Sequence, residues 1–218
     1  MTKTIDSILF STAYMPPIEY FILYLSSNVA YLETHEYFKR RTYANHCSIA
    51  NVNGIHTLTI PVSKTIANHC PIHSMKINYS EKWQAVHWKT LETAYNKSPF
   101  FLYYRDYLEP FYTKRFDYLL DFNNELFQTL CYLLKINKTF IHTDSYEKNP
   151  SKIDCDLRDI INPVSCKKSD YCFNEIEPYN QVFIDKTGFI PNLSIFDLLC
   201  NKGNESQAYL LQNTLKIQ

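Results

Sequence analysis

Between Glu33 and His46 the chain sets acids, bases and cations close together: Glu33, His35, Glu36, Arg40, Arg41, Tyr43, Asn45 and His46. Chemically, the guanidinium groups of Arg40 and Arg41 can grip a phosphate or carboxylate through paired N–H donors. His35 or Glu33 can carry a proton to or from a reacting group, Asn45 can orient a hydroxyl, and Tyr43 can line the substrate. The same stretch also reads as a solvated loop laced with local ion pairs, which would contribute little.

Three further sets of residues carry possible chemistry. The tripeptide Asn-His-Cys occurs twice, so His46, Cys47, His69 and Cys70 offer zinc-ligand types; adjacent His-Cys pairs without a Cys-x-x-Cys anchor have the wrong spacing, and no metal site is expected. His87 lies one turn from Trp83 on an apolar helix face, the position of a core histidine as well as of a base. Arg158 stands between Asp156 and Asp159, so it is either ion-paired for structure or aimed at a ligand anion. Ser194 and Asp197 have capping-box spacing, which explains them through helix initiation alone.

The elements that must position these residues follow from periodicity. Ile5–Phe10 reads as a strand, Met15-Pro16-Pro17 blocks any earlier helix start, and Ile18, Phe21, Ile22 and Leu25 recur at helical spacing. A second short strand, Val29–Leu32, completes a β-α-β unit with a parallel pairing. Its end opens onto the charged loop, where α/β proteins bind ligands. Cys47–Ile49 and Ile55–Val62 flank Asn53-Gly54, a strong hairpin signal, with Leu58 and Ile60 on an apolar face and Thr57 and Thr59 on a polar one. Ser80 is placed to cap a helix with the stripe Trp83, Val86, His87, Leu91, Ala94 and Tyr95. A second helix is expected over Phe100–Tyr107 and a third, about twenty residues long, from Phe116 to Leu134.

Beyond these helices, Thr139–His142 reads as a strand, residues 144–180 as irregular, and Gln181–Ile184 as a last strand. Ser194 caps a helix over Ile195–Cys200 that stops at Asn201-Lys202-Gly203, and a terminal helix from Glu205 docks through Tyr209, Leu210 and Leu211. The fold class is therefore α/β: a single three-layer domain over residues 1–218 with a short, mostly parallel sheet, a β-hairpin extension and a helical middle section.

Composition removes several functions. The chain has 218 residues, 45% of them hydrophobic, with 22 basic and 22 acidic side chains, so nucleic acid is not an expected partner. Its three glycines, Gly54, Gly188 and Gly203, are too far apart for a Walker loop, a dinucleotide fingerprint, a nucleophile elbow or a kinase glycine loop. Seven cysteines without a paired pattern fit a reducing compartment, and neither a secretory signal nor a membrane span is legible, so a cytoplasmic location is expected.

Several blocks together resemble the WbqC-like family of bacterial proteins, in particular its Bacteroides-type branch. The family opens on Gln-Pro-x-Tyr-Leu/Phe-Pro-x-x-Gly-Tyr-Phe. Here Tyr14, Pro16 and Tyr20-Phe21 hold their places in Ser11–Phe21, while the Gln-Pro start and the Gly are lost. Its Lys-Arg-Ser-Trp-x-Asn-Arg block matches Arg40-Arg41-Thr42-Tyr43-Ala44-Asn45-His46. Further matches are His87, Ser98-Pro99-Phe100-Phe101, and the run from Gly188 through Asn192, Ser194 and Asp197. The resemblance implies a role among proteins of O-antigen and other surface polysaccharides: a group transferase on an activated sugar or acyl intermediate, with a small anionic substrate such as a nucleotide sugar. On that reading Arg40 and Arg41 hold the anionic group, and His35 or His87 moves protons. Departures from the motifs fit equally a binding or assembly factor of the same pathway. An enzyme would gather Tyr14, Glu33, Arg41, Asn45 and His87 round one pocket, whereas an assembly factor would expose an apolar patch. No residue pattern names a cofactor.

Overall fold

The structure, a computed structural model, describes residues 5–63, 70–161, 163 and 176–214. Strand β1 (Ile5–Ser11) runs parallel to β2 (Ser27–Glu33), and helix α1 (Ile18–Ser26) connects them. Their register pairs Phe10 with Leu32 and Ser11 with Glu33, so both strands end side by side at the charged loop. Two short strands complete the sheet in the order β5-β2-β1-β6: β5 (Ile141–His142) pairs with β2 and β6 (Cys155–Asp156) with β1, both parallel. Strand β6 lies within the stretch expected to be irregular, and its two residues are too few for any periodicity to reveal. Ile8 pairs with Cys155 and Leu9 with Asp156.

This order matters for ligand binding. From β1 the chain passes to β2 and β5 on one flank and reaches the opposite flank only with β6. The crevice outside the carboxyl ends of β1 and β6 is therefore the point at which the strand order reverses, the usual ligand position in open parallel sheets.

Pro17 occupies the N-cap of α1 in an extended conformation and has no side chain with which to cap it. The capping comes from the far end of the chain: Asn192 Oδ1 accepts from the Glu19 N–H at 3.0 Å, and the Leu193 carbonyl accepts from Ile18 N–H at 3.0 Å. Asn192 takes a positive φ of 57° there, a conformation that Asn tolerates better than most side chains. Below α1, the rings of Phe10, Tyr20, Tyr24, Phe127 and Phe140 interlock, with Phe10 and Tyr20 centroids 4.8 Å apart.

The hairpin forms as its Asn-Gly signal requires: β3 (His46–Asn51) pairs antiparallel with β4 (Gly54–Thr59), and Gly54 adopts φ 111°. Leu58 and Ile60 are buried while Thr57 and Thr59 face solvent. The helical middle comprises α2 (Trp83–Tyr95), α3 (Phe101–Leu108), α4 (Pro110–Thr113) and α5 (Leu119–Leu133). Ser80 does not cap α2; Lys82 precedes the helix without a side-chain cap, and the Ser80 N–H donates to Asn78 Oδ1. Val86 turns to solvent instead of joining the apolar stripe.

Gln181–Ile184 is not a strand. Gln181 turns inward, its side chain both donating to and accepting from the Ile190 backbone, and the chain enters the short helix α6 (Ile184–Thr187). Helix α7 (Ile195–Lys202) is capped by Ser194 Oγ, which accepts from Phe196 N–H, and ends at Gly203 with φ 55°. Helix α8 (Ser206–Gln212) docks through Tyr209 and Leu210, whereas Leu211 is half exposed.

Candidate functional site

The five residues that an enzyme was expected to gather round one pocket, Tyr14, Glu33, Arg41, Asn45 and His87, fall into separate sets, and none of them lines the cleft described below, so that expectation is not met. Glu33, the last residue of β2, is buried and ion-paired to Arg158, with Arg158 Nη1 3.0 Å from Glu33 Oε2. The other oxygen of Glu33 accepts from the His35 N–H at 2.8 Å and the Thr143 hydroxyl at 2.9 Å. Arg158 also donates Nε and Nη2 to Asp156, so its fork is occupied by two carboxylates. His35 Nε2 lies 3.0 Å from the Thr143 carbonyl. These residues tie the end of β2 to the segments after β5 and β6.

Tyr14 and His87 meet elsewhere, inside the core. The Tyr14 hydroxyl is 3.1 Å from His87 Nδ1 and 2.8 Å from the Tyr112 hydroxyl. Burial holds the His87 imidazole down to about 4, against a hydrogen bond to the Thr59 backbone that favours the charged form. A neutral, enclosed imidazole of this kind is an acceptor in a core network. The Cys47 thiol lies against Tyr14, and burial raises its ionisation well above the ordinary range. Cys70 is also buried, its Sγ donating to the Pro71 carbonyl, while His69 of the second tripeptide lies outside the described residues, as do Cys166 and Cys172.

On the loop itself Arg40 and Arg41 are exposed, with Arg41 at φ 60°. Asn45 is buried and donates Nδ2 to the Ile60 carbonyl at 2.8 Å, fixing the start of the hairpin. Tyr43 faces a cleft whose walls come from both sides of the switch point: Ser11, Thr12 and Ala13 after β1, and Leu157, Arg158 and Ile161 after β6. Its remaining wall is the charged loop, through Glu36, Phe38 and Lys39. The space inside it is about 30 Å³, room for water or one small head group.

Glu36 is the feature that sets this cleft apart. Residues 36–38 dock against 70–72 through backbone bonds, Ile72 N–H to the Glu36 carbonyl and Phe38 N–H to the Cys70 carbonyl. That extended pairing turns Glu36 and Phe38 inward and Tyr37 outward. Burial pushes the Glu36 carboxyl up to about 7; the Ser11 hydroxyl, Lys39 and Arg158 pull it down, and Glu33 pushes it up. A carboxyl poised near neutrality in a cleft can both give and take a proton. Outside the cleft Lys39 pairs with Asp159. In the sequence Glu36 belongs to the charged stretch, where Glu33 and His35 are the expected proton carriers. The inward turn of Glu36 comes from the pairing with residues 70–72, which no local pattern in the sequence announces.

The last motif holds a second buried carboxylate. Asp197 does not close a capping box with Ser194. Its Oδ2 accepts from the Tyr179 hydroxyl at 2.5 Å and from Gln181 Nε2 at 3.0 Å, and burial raises its ionisation. It thereby fastens the 179–181 segment to α7.

Sequence comparison agrees with the motifs. The model of the WbqC-like protein family matches residues 12–171, and the chain belongs to that family. It is 24% identical over 197 residues to a Mycobacterium tuberculosis (strain ATCC 25618 / H37Rv) protein named Uncharacterized protein Rv1507c, covering 79% of this chain and 83% of that one. No solved structure matches. Among the described residues no helix is long and apolar enough to cross a membrane.

Proposed function

We propose that this protein is an enzyme of O-antigen-type surface-polysaccharide synthesis, a group transferase on an activated sugar or acyl intermediate, with the cleft between the ends of β1 and β6 as its active site. The observation that carries this reading is Glu36: a carboxyl raised to about 7 by burial, at the strand-order reversal where parallel sheets bind ligands. Glu36 serves as the acid/base. The cleft takes only the reacting head group, so the bulk of a nucleotide-sugar or acyl substrate lies outside it, with the exposed Arg40 and Arg41 supplying cationic charge on the same loop. Family membership supports the pathway.

A binding or assembly factor of that pathway is the second reading. It is favoured by the exposed aromatic pair Tyr107 on α3 and Tyr132 on α5, whose ring centroids are 6.0 Å apart, beside exposed Leu102 and Tyr103.

A thermal-shift screen of the purified chain against nucleotide sugars, acyl-CoAs and free nucleotides separates the two, because a ligand of the native state raises its melting temperature. The enzyme reading expects a hit that Arg41→Ala weakens, together with turnover that Glu36→Gln abolishes. A well-folded protein that no member of the screen stabilises, but that captures a pathway protein through Tyr107 and Tyr132, would leave the assembly factor as the function.

A further inference from the structure

We infer that the space beside Glu36 receives the protonated primary amine of the acceptor substrate, with the Glu36 carboxylate as its counter-ion. This rests on the reading of the cleft as the substrate site and names the chemical class that the site selects.

Charge is the first argument. Four carboxyl groups, Glu33, Glu36, Asp156 and Asp159, surround two cations, Lys39 and Arg158. Lys39 is paired with Asp159, and Arg158 with Glu33 and Asp156. No ion pair among the described residues includes Glu36. Ionised Glu36 is therefore the charge that a ligand cation would complete.

Size is the second. A space of about 30 Å³ admits a small group such as an ammonium and is too small for a pyranose ring. Phe10, Tyr20 and Tyr43 are among the residues that line the same cleft. The competing cation is a metal ion, but among the described residues no group of three or more His, Cys, Asp or Glu is placed to hold one.

The chemistry is balanced. One N–H proton passes from the ammonium to the carboxylate, leaving a neutral amine and a neutral carboxylic acid with total charge unchanged. The amine thereby regains the lone pair with which it forms the N–C bond to an activated acyl or glycosyl carbon. The bond from that carbon to its thiolate or nucleoside-diphosphate leaving group breaks with its electron pair, and the leaving group departs to solvent. The nitrogen gives its surplus proton to that leaving group or to water, and Glu36 returns its own proton to solvent.

The test is a titration of the full chain, ¹³C-labelled at glutamate carboxyls, followed by NMR. The groups bearing on Glu36 are Ser11 on β1, Tyr20 on α1, Glu33 on β2, Lys39 on the loop, and Arg158 beyond β6 with its partner Asp156. Ethanolamine and N-acetylethanolamine test the head group; glucosamine and glycine then separate an amino-sugar acceptor from an amino-acid one. The inference expects ethanolamine to lower the Glu36 midpoint by roughly one pH unit at saturation and to bind about sixfold more weakly at pH 5.5 than at pH 7.5. The N-acetyl compound should leave the midpoint where it was, and Glu36→Gln should lose the binding. If Glu36→Gln does not fold, the wild-type titration decides alone. A midpoint unmoved by ethanolamine, or moved equally by N-acetylethanolamine, makes the space a water site and overturns the inference. The enzyme reading stands or falls separately, on the nucleotide-sugar and acyl-CoA screen.

Discussion

Arg158 Nη1 lies 3.0 Å from Glu33 Oε2, joining residues 125 positions apart in a pair that is almost fully buried, at 5% and 1% side-chain exposure. Asp156 holds the same guanidinium at 2.6 Å. The pair fixes one wall of the cleft, because Arg158 lines it, and it locks the end of β2 to the end of β6. Arg158→Met keeps the aliphatic stem but leaves the Glu33 carboxylate buried without its cation. It should cost about 3 to 5 kcal/mol in urea unfolding, and Glu33→Gln in the same chain should recover part of that.

His87 should govern part of the acid lability. Its folded-state value of about 4 lies below the usual imidazole value of 6.5. The unfolded chain therefore binds the proton first as pH falls, so the stability contributed by neutral His87 is complete above pH 6.5 and disappears toward pH 4. The amount is about 3 kcal/mol by linkage. His87→Gln should flatten the stability-pH curve over that window. A curve as steep as that of the parent would place the acid sensitivity in other groups.

Glu36 should act in the opposite sense over an overlapping range. Its folded value of about 7 lies above the ordinary 4.5, so the folded state binds the proton first. Stability falls as pH rises from 4.5 through 7, and above pH 7 the ionised Glu36 costs about 2 to 3 kcal/mol. Glu36→Gln should accordingly raise the melting temperature at pH 8 and change it little at pH 4, while removing activity. A destabilised Glu36→Gln protein at pH 8 would refute the strained-carboxylate account of the cleft.

Local pattern alone determined much of the scaffold. The β-α-β opening, the Asn53-Gly54 hairpin, the Ser194 cap and the helices α2, α3 and α5 could each be read within a window of about twenty residues, because 2.0 and 3.6 periodicities are local properties. The misreadings share a cause. Strand β6 exists only because β1 offers it a free edge, and Gln181 turns inward only because Ile190 and Asp197 satisfy its amide. The site divided along the same line. The sequence concentrated acids and cations between Glu33 and His46, but which of them would be buried depended on contacts from elsewhere in the chain. Arg158 claimed Glu33, the Ile60 carbonyl claimed Asn45, and the pairing of residues 36–38 with 70–72 turned Glu36 into the cleft while Arg40 and Arg41 stayed in solvent. Residue type sets what a side chain can do, and tertiary structure decides its desolvation and its charged neighbours, which fix what it does.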